Sequence, residues 1–313
     1  MAVLRDYTIF SGTSNPALAQ AIAQILGVPL GKSRVERFPD GEIEVELLEP
    51  PRRKEVFIVQ PTCPPVNDHL FELLAFTDAC RRAAAGHITA IVPYFGYARS
   101  DKRHERRVSI NASLVAALMQ AAGVGHVVTV DLHAPQIEGF FYVPTDSLSA
   151  VAVLADALRE DLPEGPVVIS PDEGRVRMAT RYAGILRAPV AVLHKERHSG
   201  AETSVLRVVG DVRGRHCLVV DDMISTGGTI ASSVEALLQA GAQPDITVVA
   251  THGLFVPPAQ ERLAHPAIRR IYVTDTVPID RERWPQVQVV SVAPLLATTI
   301  QRFLADGSIG DLL

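Results

Sequence analysis

The sequence predicts an α/β protein: two open, mostly parallel sheets, each flanked by helices, arranged as a tandem pair. Three observations carry the prediction. Short Val/Ile-rich runs alternate with Ala/Leu-rich stretches of helical period; glycines follow the helical runs where left-handed caps belong; and 313 residues at 47% hydrophobic content exceed one ordinary core. In chain order, strands are expected at residues 7–10, 56–60, 88–93, 127–131, 167–170, 190–194, 217–221, 246–251, 271–274 and 287–290. Helices at 15–26, 69–85, 109–122, 149–158, 175–183, 229–241 and 258–263 fill many of the gaps, and strand-helix-strand alternation gives parallel pairing. Gly27, Gly86, Gly123 and Gly241 are the expected caps. A hairpin pairs 34–38 with 42–47 around the turn Phe38-Pro39-Asp40-Gly41. Two sheets of about five strands fit ordinary sheet sizes better than one of ten. The Pro-containing turn at 144–149 marks the boundary, giving domains 1–146 and 147–313, with the last helix packing back on the first domain.

Composition excludes several function classes. The net charge is −5 without a basic tail or aromatic-basic stripe, so nucleic acid is not expected as a partner. The amino terminus lacks a basic-then-apolar signal pattern, and the most apolar stretch, 112–130, is broken by Gln120, Gly123, Gly125 and His126. A cytoplasmic protein without membrane association is the expectation. Cys63, Cys80 and Cys217 form no spaced metal cluster and no even disulfide set, and read as buried reduced thiols.

The most informative run is His216-Cys217-Leu218-Val219-Val220-Asp221-Asp222-Met223-Ile224-Ser225-Thr226-Gly227-Gly228-Thr229, a buried strand, two adjacent acids, then a small-residue loop opening a helix. Ser225, Thr226 and Thr229 supply hydroxyls, while Gly227 and Gly228 let backbone N–H groups approach an anion. Asp221 and Asp222 only accept when ionised, so they suit sugar hydroxyls or a hydrated metal beside them. Ligands of open parallel sheets sit beyond the carboxyl ends of strands, and this chain gathers polar groups there. Arg99-Ser100-Asp101, His133, Asp172 and His194-Lys195-Glu196-Arg197 each follow an expected strand. Of four lysines, only Lys195 follows an interior-type strand; Glu196 beside it allows the plain alternative of a surface salt bridge. The run 27–33 looks like a phosphate-binding P-loop but has one residue too few between its glycines and follows a helix, so it reads as a helix cap.

The segments Arg37-Phe38-Pro39-Asp40-Gly41-Glu42, Pro93-Tyr94-Phe95-Gly96-Tyr97-Ala98-Arg99, Asp131-Leu132-His133-Ala134-Pro135-Gln136-Ile137-Glu138-Gly139-Phe140-Phe141, Ser170-Pro171-Asp172 and 221–229 together resemble the ribose-phosphate pyrophosphokinase family, in that family's order and across nearly the whole chain. The loop 221–229 by itself resembles the wider phosphoribosyltransferase-like fold. The resemblance implies two such domains and transfer of a diphosphoryl group from Mg-ATP to the anomeric hydroxyl of ribose 5-phosphate. It implies Lys195, Arg197 and Arg99 as catalytic residues, and Phe38, Asp40, Gly41, Glu42, Arg99, Ser100, Asp101 and His133 at ATP. Arg197, Asp221, Asp222, Ser225, Thr226, Gly227, Gly228 and Thr229 would hold ribose 5-phosphate, and His133 and Asp172 would meet Mg2+. It also implies a homo-oligomer, a hexamer, in which the Phe38 hairpin reaches nucleotide on a neighbouring subunit. A phosphoribosyltransferase would explain 221–229 but leave the first 140 residues without a purpose; a noncatalytic regulatory paralogue would not need Lys195, Arg197, Arg99, His133 and Asp172. Departures from the pattern are Val108-Ser109 and Ser113 in and beside the segment 102–111, Glu173 for a frequent His, and Arg175 for a frequent second Gly. Arg52, Arg82 and Ser308 match the family's regulatory phosphate site, whereas Pro50 and Gly310 replace hydroxyl residues, so weakened phosphate activation and ADP inhibition are expected.

Overall fold

The computed structural model describes residues 6–103, 105–197 and 204–313, with backbone alone at 195–197 and 204–206. It divides into two compact units, one of 1–149, 276–278 and 291–313, the other of 150–275 and 279–290. Each unit is built on an open sheet.

In the first unit, β1 (Tyr7–Ser11), β4 (Glu55–Val59), β5 (His87–Ile91), β6 (His126–Val130) and β7 (Thr145–Leu148) form a parallel sheet in that spatial order. The antiparallel pair β2 (Ser33–Arg37) and β3 (Ile43–Leu47) stands apart as its own ribbon. Helices α1 (Pro16–Leu26), α2 (Val66–Arg82) and α3 (Asn111–Ala122) connect the strands. Strand alternation sorts the sheet's side chains: Phe10, Val56, Ile58, Ala90 and Val127 join a core with Leu73 and Phe76 of α2 and Val115 and Met119 of α3. The final helix α8 (Ala293–Leu304) packs on α1, and its buried Leu296, Ile300 and Leu304 each contribute roughly 1.5–3 kcal/mol of apolar burial.

The second unit holds β8 (Val167–Ser170), β9 (Val190–Arg197), β10 (Ser204–Val209), β11 (Cys217–Ile224), β12 (Ile246–Gly253), β13 (Ile268–Thr274) and β14 (Val287–Val290) in the order β10-β9-β8-β11-β12-β13-β14. Only the β9–β10 pair is antiparallel. Its helices are α4 (Val151–Leu158), α5 (Val176–Leu186), α6 (Gly228–Gln239) and α7 (Ala259–Leu263). The chain builds outward from β8 to β9 and β10, then returns to lay β11 on the other side of β8. In open parallel sheets such a reversal is where ligands are expected, here beyond the carboxyl ends of β8 and β11.

Three expectations need correction. The strand expected to stop at 194 continues to Arg197, because 204–209, overlooked as a strand, returns beside it and pairs Lys195 with Leu206. Lys195 and Arg197 therefore lie on strand backbone and not in a loop; their side chains fall outside the described residues. The paired acids likewise lie within β11, which runs past them to Ile224. Finally, Gly27 and Gly123 cap α1 and α3 at positive φ, but after α2 it is Ala84 (φ +60) that turns left-handed. Gly86 serves close approach: a Cβ there would lie 2.9 Å from the Arg53 carbonyl oxygen.

The three cysteines are buried free thiols, and burial pushes Cys63 and Cys217 up to about 11 and Cys80 up to about 12. Held neutral, they are poor nucleophiles. No helix among the described residues is long and apolar enough to cross a membrane.

Candidate active site

In the first unit, the loops after the neighbouring strands β5 and β6 carry Arg99, Ser100, Asp101 and His133. Each loop is tied down. Thr62 Oγ1 accepts from the Gly96 N–H at 2.6 Å, and a side chain at 96 would collide with the Thr62 carbonyl, its Cβ only 2.5 Å away. The Tyr97 hydroxyl donates to Asn67. The β6 loop hangs on β7: Ser149 donates to Asp131 Oδ1 at 3.2 Å, and the Leu132 N–H donates to Ser147 Oγ at 3.2 Å. Gln136 then donates to the buried Asp101 carboxylate, joining the two loops. Ser100 Oγ accepts the Asn111 N–H at 3.1 Å, closing the base of the segment 102–110. Arg99 is exposed and His133 half-buried at this edge.

The ribbon β2–β3 carries the second cluster. The Asp40 carboxylate accepts the Glu42 N–H at 3.1 Å, the Phe38 carbonyl accepts from Gly41 at 2.9 Å, and Arg37 anchors the ribbon to Asp68 of α2 at 2.7 Å. Phe38 remains 38% exposed, and Asp40, Gly41 and Glu42 are exposed around it. An aromatic ring placed outward at a rigid tip is suited to stacking on a planar ligand.

The second unit places its polar groups at the β8/β11 reversal. All eight residues of β11 are buried, so Asp221 and Asp222 leave water with the strand. Gly227 begins α6 in the left-handed conformation, φ +74, and a Cβ there would approach Leu263 Cγ at 3.1 Å. The loop from Ser225 to Thr229 thus folds tightly against α7, with Ser225 and Gly228 partly exposed and Thr226 and Thr229 exposed. Asp172, exposed at the end of β8, caps the short turn Glu173–Arg175 by accepting the Arg175 N–H at 3.1 Å.

Two cations here escaped sequence reasoning. Arg175 spans the acid pair, its Nε 3.2 Å from Asp221 Oδ1 and its Nη2 3.1 Å from Asp222 Oδ1. The only sequence signal was its departure from a frequent glycine. Arg262 of α7 donates to the Thr226 carbonyl at 3.2 Å and so stands beside the hydroxyl loop; no motif marked it. Burial first, and then the charge of Asp222, hold the Asp221 carboxyl well above the usual carboxylate range, against the pull of Arg175. Chemically, this unit offers an anion-binding helix start beside an acceptor pair.

Comparison with known proteins agrees with this geometry. Residues 7–123 match the N-terminal domain of ribose phosphate pyrophosphokinase, and residues 200–313 match the phosphoribosyl synthetase-associated domain. A ribose-phosphate pyrophosphokinase of Parasynechococcus marenigrum is 46% identical, covering 98% of this chain and 94% of the relative. The same-named protein of Burkholderia pseudomallei is 43% identical, covering 96% of this chain and 95% of its own length. The crystal structure of phosphoribosylpyrophosphate synthetase from Mycobacterium smegmatis superposes with a TM-score of 0.91 at 42% identity, over 97% of this chain and 100% of that one. With its two open sheets, its strand-end loops and near full-length identity of this order, the chain is an enzyme that belongs to the ribose-phosphate pyrophosphokinase family.

Proposed function

We propose that the enzyme transfers the diphosphoryl group of ATP to the anomeric hydroxyl of ribose 5-phosphate, giving 5-phosphoribosyl 1-pyrophosphate and AMP for nucleotide biosynthesis. The observation that carries this reading is the buried acid pair of β11 leading directly into the hydroxyl- and glycine-bearing start of α6. An eight-residue strand buried end to end gains nothing in stability from two adjacent carboxylates, whereas a pentose ester needs acceptors for its hydroxyls and donors for its phosphate.

The residues divide the work by chemistry. Asp221 and Asp222 accept from sugar hydroxyls, and Ser225, Thr226, Gly227, Gly228 and Thr229 hold the 5-phosphate. Arg99, Ser100, Asp101 and His133 serve the nucleotide from the first unit. Phe38, Asp40, Gly41 and Glu42 serve adenosine on a neighbouring copy within a homo-oligomer, a hexamer. A moving diphosphate spreads charge over its nonbridging oxygens, so positioned cations matter more than covalent chemistry. Lys195, Arg197 and Arg99 are assigned that role.

Mg2+ belongs to the proposal. The exposed Asp172 carboxylate of the second unit and the half-buried His133 imidazole of the first are each a donor that a hard cation takes beside phosphates and water. Such a cation would neutralise part of the triphosphate charge. Intracellular, cytoplasmic placement fits a reaction that consumes ATP.

Incubation with Mg-ATP and ribose 5-phosphate should release AMP only when the sugar phosphate is present. Diphosphate release that depends on an added nucleobase would instead support the transferase. Replacing Phe38 with alanine removes the stacking face and is expected to raise the KM for ATP about tenfold, roughly the worth of one aromatic contact, with little change in the KM for ribose 5-phosphate. Equal effects on both substrates would remove the ribbon from the nucleotide site.

A further inference from the structure

The arginine at position 175, where the resembled family often has glycine, sets a cation against the acid pair. Its backbone is pinned: Ser170 Oγ donates to the Asp172 carbonyl at 2.7 Å, and Asp172 Oδ1 accepts the Arg175 N–H at 3.1 Å. From that fixed base the guanidinium reaches both acids with one edge, Nε at 3.2 Å to Asp221 Oδ1 and Nη2 at 3.1 Å to Asp222 Oδ1. Arginine usually spends that edge on a single carboxylate. Here the edge is split, so it aligns one oxygen from each of two neighbouring acids.

The three side chains are 15%, 11% and 2% exposed, and the acids lie in β11 just beyond its last residue paired with β8, Val219. Two ionised acids alone would place a charge of −2 in that buried setting; the guanidinium offsets one unit of it and pulls against the burial that raises Asp221. A buried ion triad of this kind is often less stabilising than apolar residues of the same volume, so its presence beside the carboxyl end of β8 points to chemistry and not to stability.

We propose that Arg175 is the built-in counter-cation of the Asp221/Asp222 pair, a positioning residue that opposes the burial of their charge and aligns both carboxyl groups for the neighbouring hydroxyls of the pentose. The ligand half of this inference rests on the function proposed above. The electrostatic half rests on the protein alone. Among the described side chains, other charged groups on the neighbouring elements are Asp172 and Glu173 on the Arg175 turn, His194 of β9, paired with Glu173 at 2.8 Å, the buried His252 of β12, and Arg262 of α7. All are common to wild type and variants, so differences between the proteins isolate position 175.

The test uses the full chain carrying Arg175→Gln or Arg175→Lys. Without substrate, thermal unfolding is followed from pH 4.5 to pH 8. The Gln variant should lose ground to wild type progressively as pH rises, because the uncompensated pair then resists ionisation, while the Lys variant should follow wild type more closely. With substrate, Arg175→Gln should raise the KM for ribose 5-phosphate about tenfold, with a smaller fall in kcat, and shift the acid limb of kcat/KM upward by about one pH unit. Lysine should restore the acid limb better than the KM, since it returns the charge without the fork. Parallel stability curves for wild type and Gln variant, or an unmoved acid limb, would overturn the proposal. Absence of sugar-dependent AMP release in the wild type would instead strike the assigned reaction, and the substrate-free curves would then decide the counter-cation role alone.

Discussion

Lys195→Ala is expected to lower turnover at least about a hundredfold while changing substrate KM values far less. The charge on a diphosphoryl group in flight is greatest midway between its two oxygens, so a cation placed there acts on the transition state more than on either bound substrate. A hundredfold corresponds to about 2.7 kcal/mol of lost stabilisation, within the range for removing one preorganised donor from an oxyanion site. Lys195 sits in register with Leu206 on the β9–β10 ribbon, so a backbone ladder, and not a free loop, supports its position. Steady-state kinetics with both substrates saturating is the measurement. A variant with wild-type turnover would return Lys195 to the surface ion-pair role that Glu196 makes available.

The second large effect concerns Asp221. Asp221→Asn keeps the shape but removes a carboxyl that can ionise against a sugar hydroxyl once ligand is bound, and affinity for ribose 5-phosphate should fall about ten- to a hundredfold, the worth of a hydrogen bond to a charged group. Stability should move the other way. The folded protein retains a proton on Asp221 at pH values where the unfolded chain, titrating near the usual Asp value of about 3.9, has released it. In that window the native state binds more protons, so this group's contribution to stability falls as pH rises from about 4 through its elevated native value. The amide lacks that liability. Its thermal midpoint should therefore match wild type near pH 4 and exceed it at neutral pH, with Asp222 still paired to Arg175. Binding calorimetry with ribose 5-phosphate and unfolding curves across pH check the two halves; an amide that binds the sugar phosphate normally would remove Asp221 from the site.

Much of the architecture was legible because the parallel strands are separated by helices with their own period. Where a strand lacked that punctuation, reading failed. Ser204-Val205-Leu206-Arg207-Val208-Val209 joins its sheet antiparallel and without a helix, so alternation gave it no place. The loop from Ser225 to Thr229 and its preceding acids were legible from residue type alone, since hydroxyls, glycines and carboxylates are each needed for different parts of one ligand. Arg175 was visible only as a departure from a pattern. Its partners lie 46 and 47 residues downstream, a separation that only the adjacency of β8 and β11 closes. Glu72 went unnoticed for a similar reason: it is 2% exposed on α2, where it accepts from the Thr13 N–H at 2.6 Å, and a lone helical glutamate reads as solvated.

The first unit is discontinuous, taking residues 276–278 and 291–313 after the second unit has intervened. A ribosome making some 5–20 residues per second delivers α8 many seconds after β1 to β7 have emerged. Until then, the side of α1 on which α8 packs is uncovered, and the nascent amino-terminal half is expected to call on chaperones. Truncation before residue 291 would arrest biogenesis of that half even though it deletes nothing assigned to catalysis.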